Sequence, residues 1–383
     1  MKIVHVYHHY HPVVGGLERA VQNIAEELAR LGHEIHVVAS KFGAGDRPEE
    51  EVVNGIHVHR VKGLRLHYPD LTYPLEYPDK VFRDADIVHG HSQNSLFVVK
   101  IVERAKKFGV KTLIHFMAVD AFKDHPNFFI RLLAPYYGGK NTKVALKIAD
   151  LPLVRSIRDL EILKRMYGVE AKYLPDAVPD YYFTAEKSNP DKFREKFGIK
   201  QGKFFLFIGR MHKLKGPQIL VGALKYADED IAAVFIGPDG GYLRKTLNLA
   251  GKIDVKRRVY YLGYVDEKTK IEALDSATAL VLPSLADYVE VYPMVISEAW
   301  AREKPVIASS VGGIPYRVKH GINGLLVNPS DPKMLAEAML KLASEEGLAE
   351  EMGRNGRKEV LSWREVAEKS IQLYKQVLER RIR

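Results

Sequence analysis

The sequence contains no cysteine, and this absence removes several classes of chemistry. Disulfide bonds, thiolate zinc sites and cysteine nucleophiles are all excluded. No stretch approaches the ~18 to 20 consecutive apolar residues that a membrane-spanning helix needs. The first apolar run, residues 2 to 7, reads as a strand, and no charged-then-apolar leader with a cleavage site precedes it. We therefore expect a cytoplasmic protein.

Signatures of dinucleotide and nucleic-acid binding are also missing. The segment from Gly43 to Pro48 has proline where a Gly-x-Gly-x-x-Gly series has its third glycine, which argues against a nicotinamide dehydrogenase. The formal net charge is +10, but the excess of cations is spread over both halves of the chain and forms no basic arm. We interpret this charge as a generally basic surface and expect no nucleic-acid partner.

The sequence does contain a regular alternation of strand-like and helical segments. With 383 residues, of which 46% are hydrophobic, the chain is long enough for two domains of roughly 180 residues each. Such an alternation is typical of α/β proteins with parallel sheets. A polar segment between Val178 and Gly202, interrupted by proline and glycine, marks the boundary. We predict an N-terminal domain over residues 1–182 and a C-terminal domain over residues 183–363.

A pair of glutamates in the C-terminal half is the most informative local feature. Glu290 and Glu298 are eight residues apart, which is roughly two helical turns. From one helix, both carboxylates could point into the same cleft and accept hydrogen bonds from the hydroxyl groups of a sugar or ribose. Two glutamates on a helix are more often a solvated face, so the pair gains meaning only from its context.

That context begins upstream, with an apolar strand, a glycine turn and a basic loop. The run from Phe204 to Gly209 is followed by Arg210 and Lys215, just ahead of a predicted helix. In α/β proteins, backbone N–H groups at such a helix start bind phosphate, while arginine and lysine neutralise its charge. The alternative is an ordinary strand-to-helix turn with solvated bases.

Together these segments resemble glycosyltransferase family 4, whose members are retaining, nucleotide-sugar-dependent enzymes of GT-B fold. The shared motifs stand in the family's order: Gly209-Arg210, Lys215-Gly216, Pro283-Ser284, Glu290 with Glu298, and Gly312-Gly313. The resemblance implies two Rossmann-like parallel-sheet domains that face an interdomain cleft. It also implies that the C-terminal helix, residues 364–383, packs back on the first domain.

The resemblance further implies roles for these residues in binding a nucleotide-sugar donor. Arg210 and Lys215 would neutralise the departing diphosphate, because bond cleavage builds negative charge there. Glu298 would hold the nucleotide ribose, and Glu290 would hold the hydroxyl groups of the donor sugar. With two cations in place, no metal ion and no separate cofactor is required. The product would keep the anomeric configuration of the donor.

Backbone amides are the other phosphate contacts that the resemblance implies. One set lies near the first turn of the helix after Glu290, at Tyr292, Met294 and Val295. A second set is the Gly15-Gly16 pair, which lies between a strand and a helix of the N-terminal domain. The chain departs from the family here, since Pro293 removes one N–H that could face phosphate.

Further departures concern the interdomain strand and the acceptor side. Residues 174–178 replace the usual Pro-Asn-Gly-Val, and Tyr316 stands where the family often has glutamate.

His115 is the candidate catalytic residue of the N-terminal half. It ends a predicted strand, where ligands bind in open α/β sheets, and by position it resembles the family histidine that approaches the donor sugar. A structural histidine is the alternative. Asp120, five residues further on, is a candidate to accept the proton of the acceptor hydroxyl. The Asp84-Ala-Asp86 triplet precedes an apolar strand, and we predict no metal site there.

No motif identifies the acceptor. Residues 128–149 mix aromatic side chains with cations, as membrane-surface segments do, but we favour a core-packed helix pair broken at Pro135 and Gly138-Gly139. The basic end, residues 380–383, reads as a solvated helix terminus. A glycolipid acceptor and peripheral contact with an anionic membrane at its inner face are therefore hypotheses.

We predict a glycosyltransferase that moves a hexose or related sugar from a nucleotide diphosphate to a hydroxyl group of a glycan, a glycolipid precursor or a small molecule. Two alternatives stay open. One is another GT-B activity, such as a nucleotide-sugar epimerase, or a phosphorylase, for which no pyridoxal phosphate lysine motif stands out. The other is a catalytically silent subunit that binds a nucleotide sugar, and the presence of Arg210, Lys215, Glu290 and Glu298 together argues against it.

Overall fold

The computed structural model describes residues 1–13, 15–66, 69–120 and 128–379. The chain forms two compact units, the first made of Met1–Ala177 with Leu361–Arg383 and the second of Val178–Val360. Val178 and Tyr182 are buried in the core of the second unit, which therefore begins a few residues before position 183. None of the described helices is long and apolar enough to cross a membrane.

The first unit is built on an eight-stranded sheet in the order β10-β9-β8-β7-β1-β2-β4-β3. Its strands are parallel except for the pairing of β3 with β4. A separate antiparallel hairpin joins β5 and β6. The strands are β1 (Lys2–Val6), β2 (Glu34–Ser40), β3 (Glu50–Val53), β4 (Ile56–Val61), β5 (Gly63–Arg65), β6 (Thr72–Pro74), β7 (Ile87–His91), β8 (Lys111–Phe116), β9 (Leu151–Val154) and β10 (Lys172–Tyr173).

Within the described part of the first unit, five helices connect these strands, and a sixth comes from the end of the chain. They are α1 (Gly16–Arg30), α2 (Asp79–Phe82), α3 (Leu96–Lys106), α4 (Phe128–Ile148), α5 (Ile157–Tyr167) and α14 (Trp363–Glu379). The last helix packs against α1, with Val366, Tyr374 and Val377 buried. Residues 380–383, which carry the predicted basic terminus, lie outside the described residues.

Helix α4 differs from the predicted helix pair. It is one continuous helix that contains Pro135, Gly138 and Gly139. Proline leaves the Arg131 carbonyl without its usual N–H partner, but Arg131 is exposed, so solvent can bind that carbonyl and the helix continues. The prediction that this segment packs into a core was wrong for its first half, where Phe128, Leu132, Leu133 and Tyr136 are exposed.

The second unit contains a six-stranded parallel sheet in the order β13-β12-β11-β14-β15-β16. The strands are β11 (Lys203–Ile208), β12 (Ile231–Ile236), β13 (Val259–Gly263), β14 (Ala279–Leu282), β15 (Val306–Ser309) and β16 (Gly324–Val327). The helices are α6 (Tyr181–Thr184), α7 (Pro190–Phe197), α8 (Pro217–Ala223), α9 (Leu243–Lys252), α10 (Glu267–Ser276), α11 (Met294–Ala301), α12 (Pro332–Ser344) and α13 (Glu346–Arg357).

Strand β11 shows why this sheet is recognisable in the sequence. Successive side chains of a strand point to opposite faces, so Phe204, Leu206 and Ile208 enter one apolar core. Phe205 and Phe207 enter a second core on the other face. Helices cover both faces of a parallel sheet, and its strands therefore read as continuous apolar runs. The predicted α/β class with two parallel sheets is confirmed.

A buried ion pair between α10 and the end of α11 anchors the start of the second unit. The Arg302 guanidinium donates to both carboxylate oxygens of Asp275 at 2.8 Å. It also donates to the carbonyls of Tyr182 and Ala185 at 2.9 Å. Both charged side chains are only 1% exposed, so each depends on the other for its stabilisation.

Replacing Arg302 by methionine should lower the free energy of unfolding by about 3–5 kcal/mol, because the Asp275 carboxylate stays buried without its cation. Urea unfolding would measure this loss. As a matched control, Arg354→Met removes an exposed pair with Glu350 and should change the free energy by less than about 1 kcal/mol. Equal effects of the two substitutions would contradict the anchoring role.

Candidate functional site

The predicted site residues of the second unit gather at one edge of its sheet. Strands β11, β14 and β15 are neighbours in that order and run parallel. Their carboxyl ends therefore lie side by side, where ligands bind in open α/β sheets. The loop after β11 carries Arg210 and Lys215, the segment after β14 carries Ser284 and Glu290, and the turn after β15 carries Gly312-Gly313.

Glu290 is the centre of this edge. Its residue is 1% exposed, and one carboxylate oxygen accepts hydrogen bonds from the Lys215 ammonium at 2.7 Å and the Ser284 hydroxyl at 2.5 Å. The Glu290 main-chain carbonyl accepts a bond from the Gly313 N–H at 2.7 Å. Three segments that are distant in the chain therefore meet at one residue. Because Lys215 remains 27% exposed, the pair is accessible from one side.

Two glycines of the motifs are required by this close approach. Gly216 has φ 75°, and a side-chain carbon there would lie 1.9 Å from the Pro283 carbonyl oxygen. Gly312 has φ 57°, and a side-chain carbon there would lie 2.3 Å from the Glu290 carbonyl oxygen. Left-handed backbone and the lack of space both exclude other residues. The geometry around Glu290 therefore requires the glycines of the Lys-Gly and Gly-Gly motifs.

Glu298 has a different lysine partner. It lies on α11, and its carboxylate accepts a hydrogen bond at 3.1 Å from Lys270 on α10. Lys270 also donates to Glu267 and lies over the Tyr182 ring. Burial alone would lower the Lys270 pKa, but the carboxylates of Glu298 and Glu267 raise it. The second oxygen of Glu298, Oε2, is buried and has no hydrogen-bond partner among the described residues.

The structure corrects the expected arrangement of the glutamate pair. Glu290 follows a short 3-10 turn, Asp287–Val289, and lies outside the helix. Helix α11 begins only at Met294, after Pro293. Glu298 alone is therefore helical, and the eight-residue spacing does not put the two carboxylates on one helix face. Each glutamate is instead paired with its own lysine.

Helix α11 begins at Met294, so the main-chain N–H groups of Met294 and Val295 belong to its first turn. Its position depends on Arg317, a residue that the sequence reading missed. The Arg317 guanidinium donates to the Pro293 carbonyl at 2.9 Å and to the Ser297 hydroxyl at 2.6 Å. It also lies 4.0 Å from the centre of the Tyr292 ring. A lone arginine after the Gly-Gly turn carries no local pattern that would have shown this role.

Arg210, Gly15 and Gly16 are placed in loops or at helix starts. Arg210 is exposed in the loop after β11. In the first unit, Gly15 is extended and Gly16 opens α1 without a side-chain cap. Glu18 fills the space beside Gly15, since a side-chain carbon there would lie 2.3 Å from its carboxylate. The residue before the pair, Val14, lies outside the described residues.

His115 does not lie at an open rim. It is 3% exposed, and both of its ring nitrogens are hydrogen-bonded inside the first unit. Nδ1 lies 2.9 Å from the His89 Nε2, and Nε2 lies 3.2 Å from the Leu174 carbonyl. The cause is strand register, because His91 pairs with His115 and His5 pairs with His89 in adjacent strands. The geometry favours the structural alternative for His115 over contact with a donor sugar.

The hydrogen bonds fix the proton positions in the first branch of this histidine cluster. A carbonyl can only accept, so the neutral His115 carries its proton on Nε2 and accepts at Nδ1. His89 must then donate from Nε2 and accept at Nδ1 from the Tyr374 hydroxyl, 2.8 Å away on α14. The terminal helix is therefore joined to the sheet by a directional chain of hydrogen bonds.

The second branch is ordered in the same way. Arg155 can only donate, and its guanidinium lies 3.3 Å from the His91 Nδ1. His91 therefore donates from Nε2 to the His5 Nδ1 at 2.8 Å. His5, His89 and His91 lie close enough to suggest a metal site, but every acceptor nitrogen already receives a hydrogen bond. The described contacts leave these three rings no free lone pair, and the His5 Nε2–H is left without a described partner.

Two further polar groups of the first unit each contain an arginine. One includes Asp120, and the other is a cluster of His9, Glu18 and Arg65. Arg158 donates to the Asp120 carboxylate at 2.6 Å. His9 lies 3.3 Å from a Glu18 carboxylate oxygen and 2.5 Å from an Arg65 nitrogen. Arg65 can only donate, so His9 accepts from it and donates to Glu18. The cation beside His9 makes this cluster unsuited to a metal ion.

Two family models together match most of the chain. "Glycosyltransferase Family 4" matches residues 14–175, and "Glycosyl transferases group 1" matches residues 189–359. An uncharacterized glycosyltransferase of Methanocaldococcus jannaschii is 27% identical over 99% of both chains. The D-rhamnosyltransferase WbpZ of Pseudomonas aeruginosa is 28% identical over 93% of this chain and 90% of its own. Anabaena HepE, solved in complex with UDP-glucose, has a TM-score of 0.74 at 18% identity, over 98% of this chain and all of its own.

The buried histidines predict that acid destabilises the fold. Burial lowers the pKa of His5 from 6.5 to about 3 and lowers the pKa of His89, His91 and His115 well below that ordinary value. Above about pH 6.5 both the folded and unfolded states are neutral at these rings. Below it the unfolded state gains protons that the folded state rejects, so the free energy of unfolding falls by up to about 1.4 kcal/mol per histidine and pH unit.

Urea unfolding at a series of pH values from 7.5 to 5 would measure this dependence. The exposed His212 supplies the control, since the His212→Gln variant should keep the full acid dependence. A free energy of unfolding that stays constant over this range would contradict the neutral, buried cluster.

Proposed function

Because the chain belongs to glycosyltransferase family 4 and has the GT-B fold, we propose that it transfers a sugar, with retention of anomeric configuration, from a nucleoside-diphosphate sugar to an acceptor hydroxyl. The observation that carries this proposal is the Lys215–Glu290 pair at the carboxyl edge of the second sheet, with the Lys270–Glu298 pair on the adjoining helices. Both carboxylates are acceptors that suit hydroxyl groups.

In the proposed mechanism, the second unit stabilises the charge of the departing diphosphate. Arg210 and Lys215 supply the cations, and the first N–H groups of α11, at Met294 and Val295, supply fixed dipoles. Tyr292, held by Arg317, keeps the start of this helix in position. The fixed cations perform the neutralisation that a metal ion would otherwise supply.

The two glutamates have separate tasks in this proposal. Glu298 accepts a hydrogen bond from a ribose hydroxyl at its partly exposed carboxylate, which Lys270 holds in place. Glu290 accepts hydrogen bonds from the donor sugar, and its contact with Lys215 places that cation beside the sugar–phosphate bond. His115 is not included, because both of its nitrogens are already hydrogen-bonded. The acceptor is a glycan, a glycolipid precursor or a small molecule.

A thermal-shift screen against UDP-, GDP- and ADP-sugars tests the donor part of the proposal. A ligand that binds only the folded state raises the melting temperature, and at a hundred times Kd it adds about 2.7 kcal/mol to the stability. HepE was solved with UDP-glucose, and WbpZ is a D-rhamnosyltransferase, so both glucose and deoxyhexose donors belong in the screen. No shift with any nucleotide series would count against a nucleotide-sugar-dependent transferase.

Replacing Arg210 or Lys215 by alanine should lower kcat by about 10²- to 10³-fold, because each cation stabilises charge that appears in the transition state. Turnover of the bound donor in a radiolabel transfer assay would measure this. Lys213→Ala is the matched control, since Lys213 is an exposed lysine of the same loop, and it should keep near-normal turnover. Comparable activity in all three variants would contradict the proposal that Arg210 and Lys215 stabilise the departing diphosphate.

Glu298→Gln should instead act mainly on donor binding. The amide keeps the shape of the side chain, but the hydrogen bond from ribose loses its charged acceptor, and a charge-assisted bond is worth about 1.5–3 kcal/mol. We expect the KM for the donor to rise about tenfold to a hundredfold, with a smaller change in kcat. Glu337→Gln, on the exposed side of α12, should leave KM unchanged. A selective loss of kcat in Glu298→Gln would refute the ribose assignment.

A further inference from the structure

Exposed apolar side chains concentrate on two elements of the first unit. Among the described residues, sixteen large apolar side chains are exposed, and half of them lie on or beside the β5–β6 hairpin and the first half of α4. We call this set the apolar surface, and its members are Leu64, Leu66, Tyr73, Leu75, Phe128, Leu132, Leu133 and Tyr136. Their exposed fractions run from 40% to 77%. Single exposed apolar residues are ordinary, but a grouped set marks an interaction site.

The hairpin and α4 lie on the same side of the first unit. Helix α3 contacts both β6 and α4. The Tyr137 hydroxyl of α4 lies 3.5 Å from the Asp70 carbonyl in the turn between β5 and β6. It also lies 3.2 Å from the Asn94 carbonyl just before α3. These contacts place the exposed side chains of the hairpin close to those of α4.

The charge of α4 indicates what this surface binds. The helix carries Arg131, Lys140, Lys143 and Lys147 and contains no aspartate or glutamate. All four cations are exposed. Exposed aliphatic and aromatic side chains next to exposed cations are typical of segments that lie in the interface of an anionic bilayer. Aspartate or glutamate would be expected on the helix if its partner carried both signs of charge.

We propose that the apolar surface and the cations of α4 dock the protein on an anionic lipid bilayer. Leu132, Leu133 and Tyr136 enter the boundary between headgroups and acyl chains, while the lysines pair with lipid phosphates. This inference rests on the surface alone. Its consequence for the reaction, that the acceptor hydroxyl is carried by a lipid, rests on the proposed function.

A second copy of the chain is a less suitable occupant. A two-fold pair through this surface brings the same patch of both copies together. The cations of both α4 helices would then approach each other without a carboxylate on either helix to neutralise them. A lipid surface supplies the opposite charge and an apolar layer at once.

Co-sedimentation with vesicles tests the proposal, using phosphatidylcholine alone and phosphatidylcholine mixed with phosphatidylglycerol, without donor or acceptor present. The wild-type protein should bind only the mixed vesicles, and salt should weaken the binding. Lys140→Glu with Lys143→Glu should weaken it about tenfold or more. Leu132→Ser with Leu133→Ser should weaken it by a similar factor.

Matched controls come from α5 of the same unit. Lys164→Glu reverses an exposed lysine, and Met166→Ser removes an exposed apolar side chain. Neither should change vesicle binding. All variants should keep the wild-type melting temperature and the wild-type thermal shift with nucleotide. Vesicle binding is read without turnover, so a failure of the transferase proposal leaves this test intact.

Three results would overturn the proposal. The first is no binding of the wild-type protein to the mixed vesicles at low salt. The second is equal loss of binding in the α4 and α5 variants, which would indicate a general basic surface. The third is a dimer in sedimentation velocity that the leucine variant abolishes while vesicles stay unbound, which would assign the surface to a second copy.

Discussion

A carboxylate buried at the edge of a sheet is the constraint around which the second unit is arranged. Glu290 is almost fully buried, so its charge must be matched by a cation and hydrogen bonds. Lys215 and Ser284 supply them from the ends of two neighbouring strands. The Gly312-Gly313 turn after a third strand closes against its backbone. The fold brings these strand ends together, and the carboxylate in turn requires specific residues at each of them.

This constraint explains how much of the site could be predicted from the sequence. Lys215-Gly216, Pro283-Ser284 and Gly312-Gly313 are local patterns, because close backbone contacts require the glycines and the buried carboxylate requires Lys215 and Ser284. The helical placement of Glu290 was wrong for a different reason. Spacing alone cannot distinguish one continuous helix from a short turn followed by Pro293 and a new helix.

Residues whose roles depend on distant partners were missed. Lys270 and Arg317 have no local signature, and their importance appears only when α10 and the turn after β15 are placed beside α11. The histidine cluster is a stronger example. His5, His89 and His115 come from three strands, and only the strand order and register place their rings side by side. His115 could be recognised as lying at a strand end, but not as hydrogen-bonded on both sides. The parallel-sheet class itself was readable, since runs such as β11 are apolar on both faces.

The last helix of the chain completes the first unit, so this unit needs residues that are synthesised at opposite ends of the sequence. The residues of α1 and β7 leave the ribosome early, while α14 follows only after the whole second unit has been made. Until then, the groove that Val366 and Val377 will fill lacks its apolar cover, and His89 lacks its hydroxyl donor from Tyr374. The order of folding is therefore set by connectivity: the second unit can finish as a continuous segment, whereas the first must wait for the final residues to return.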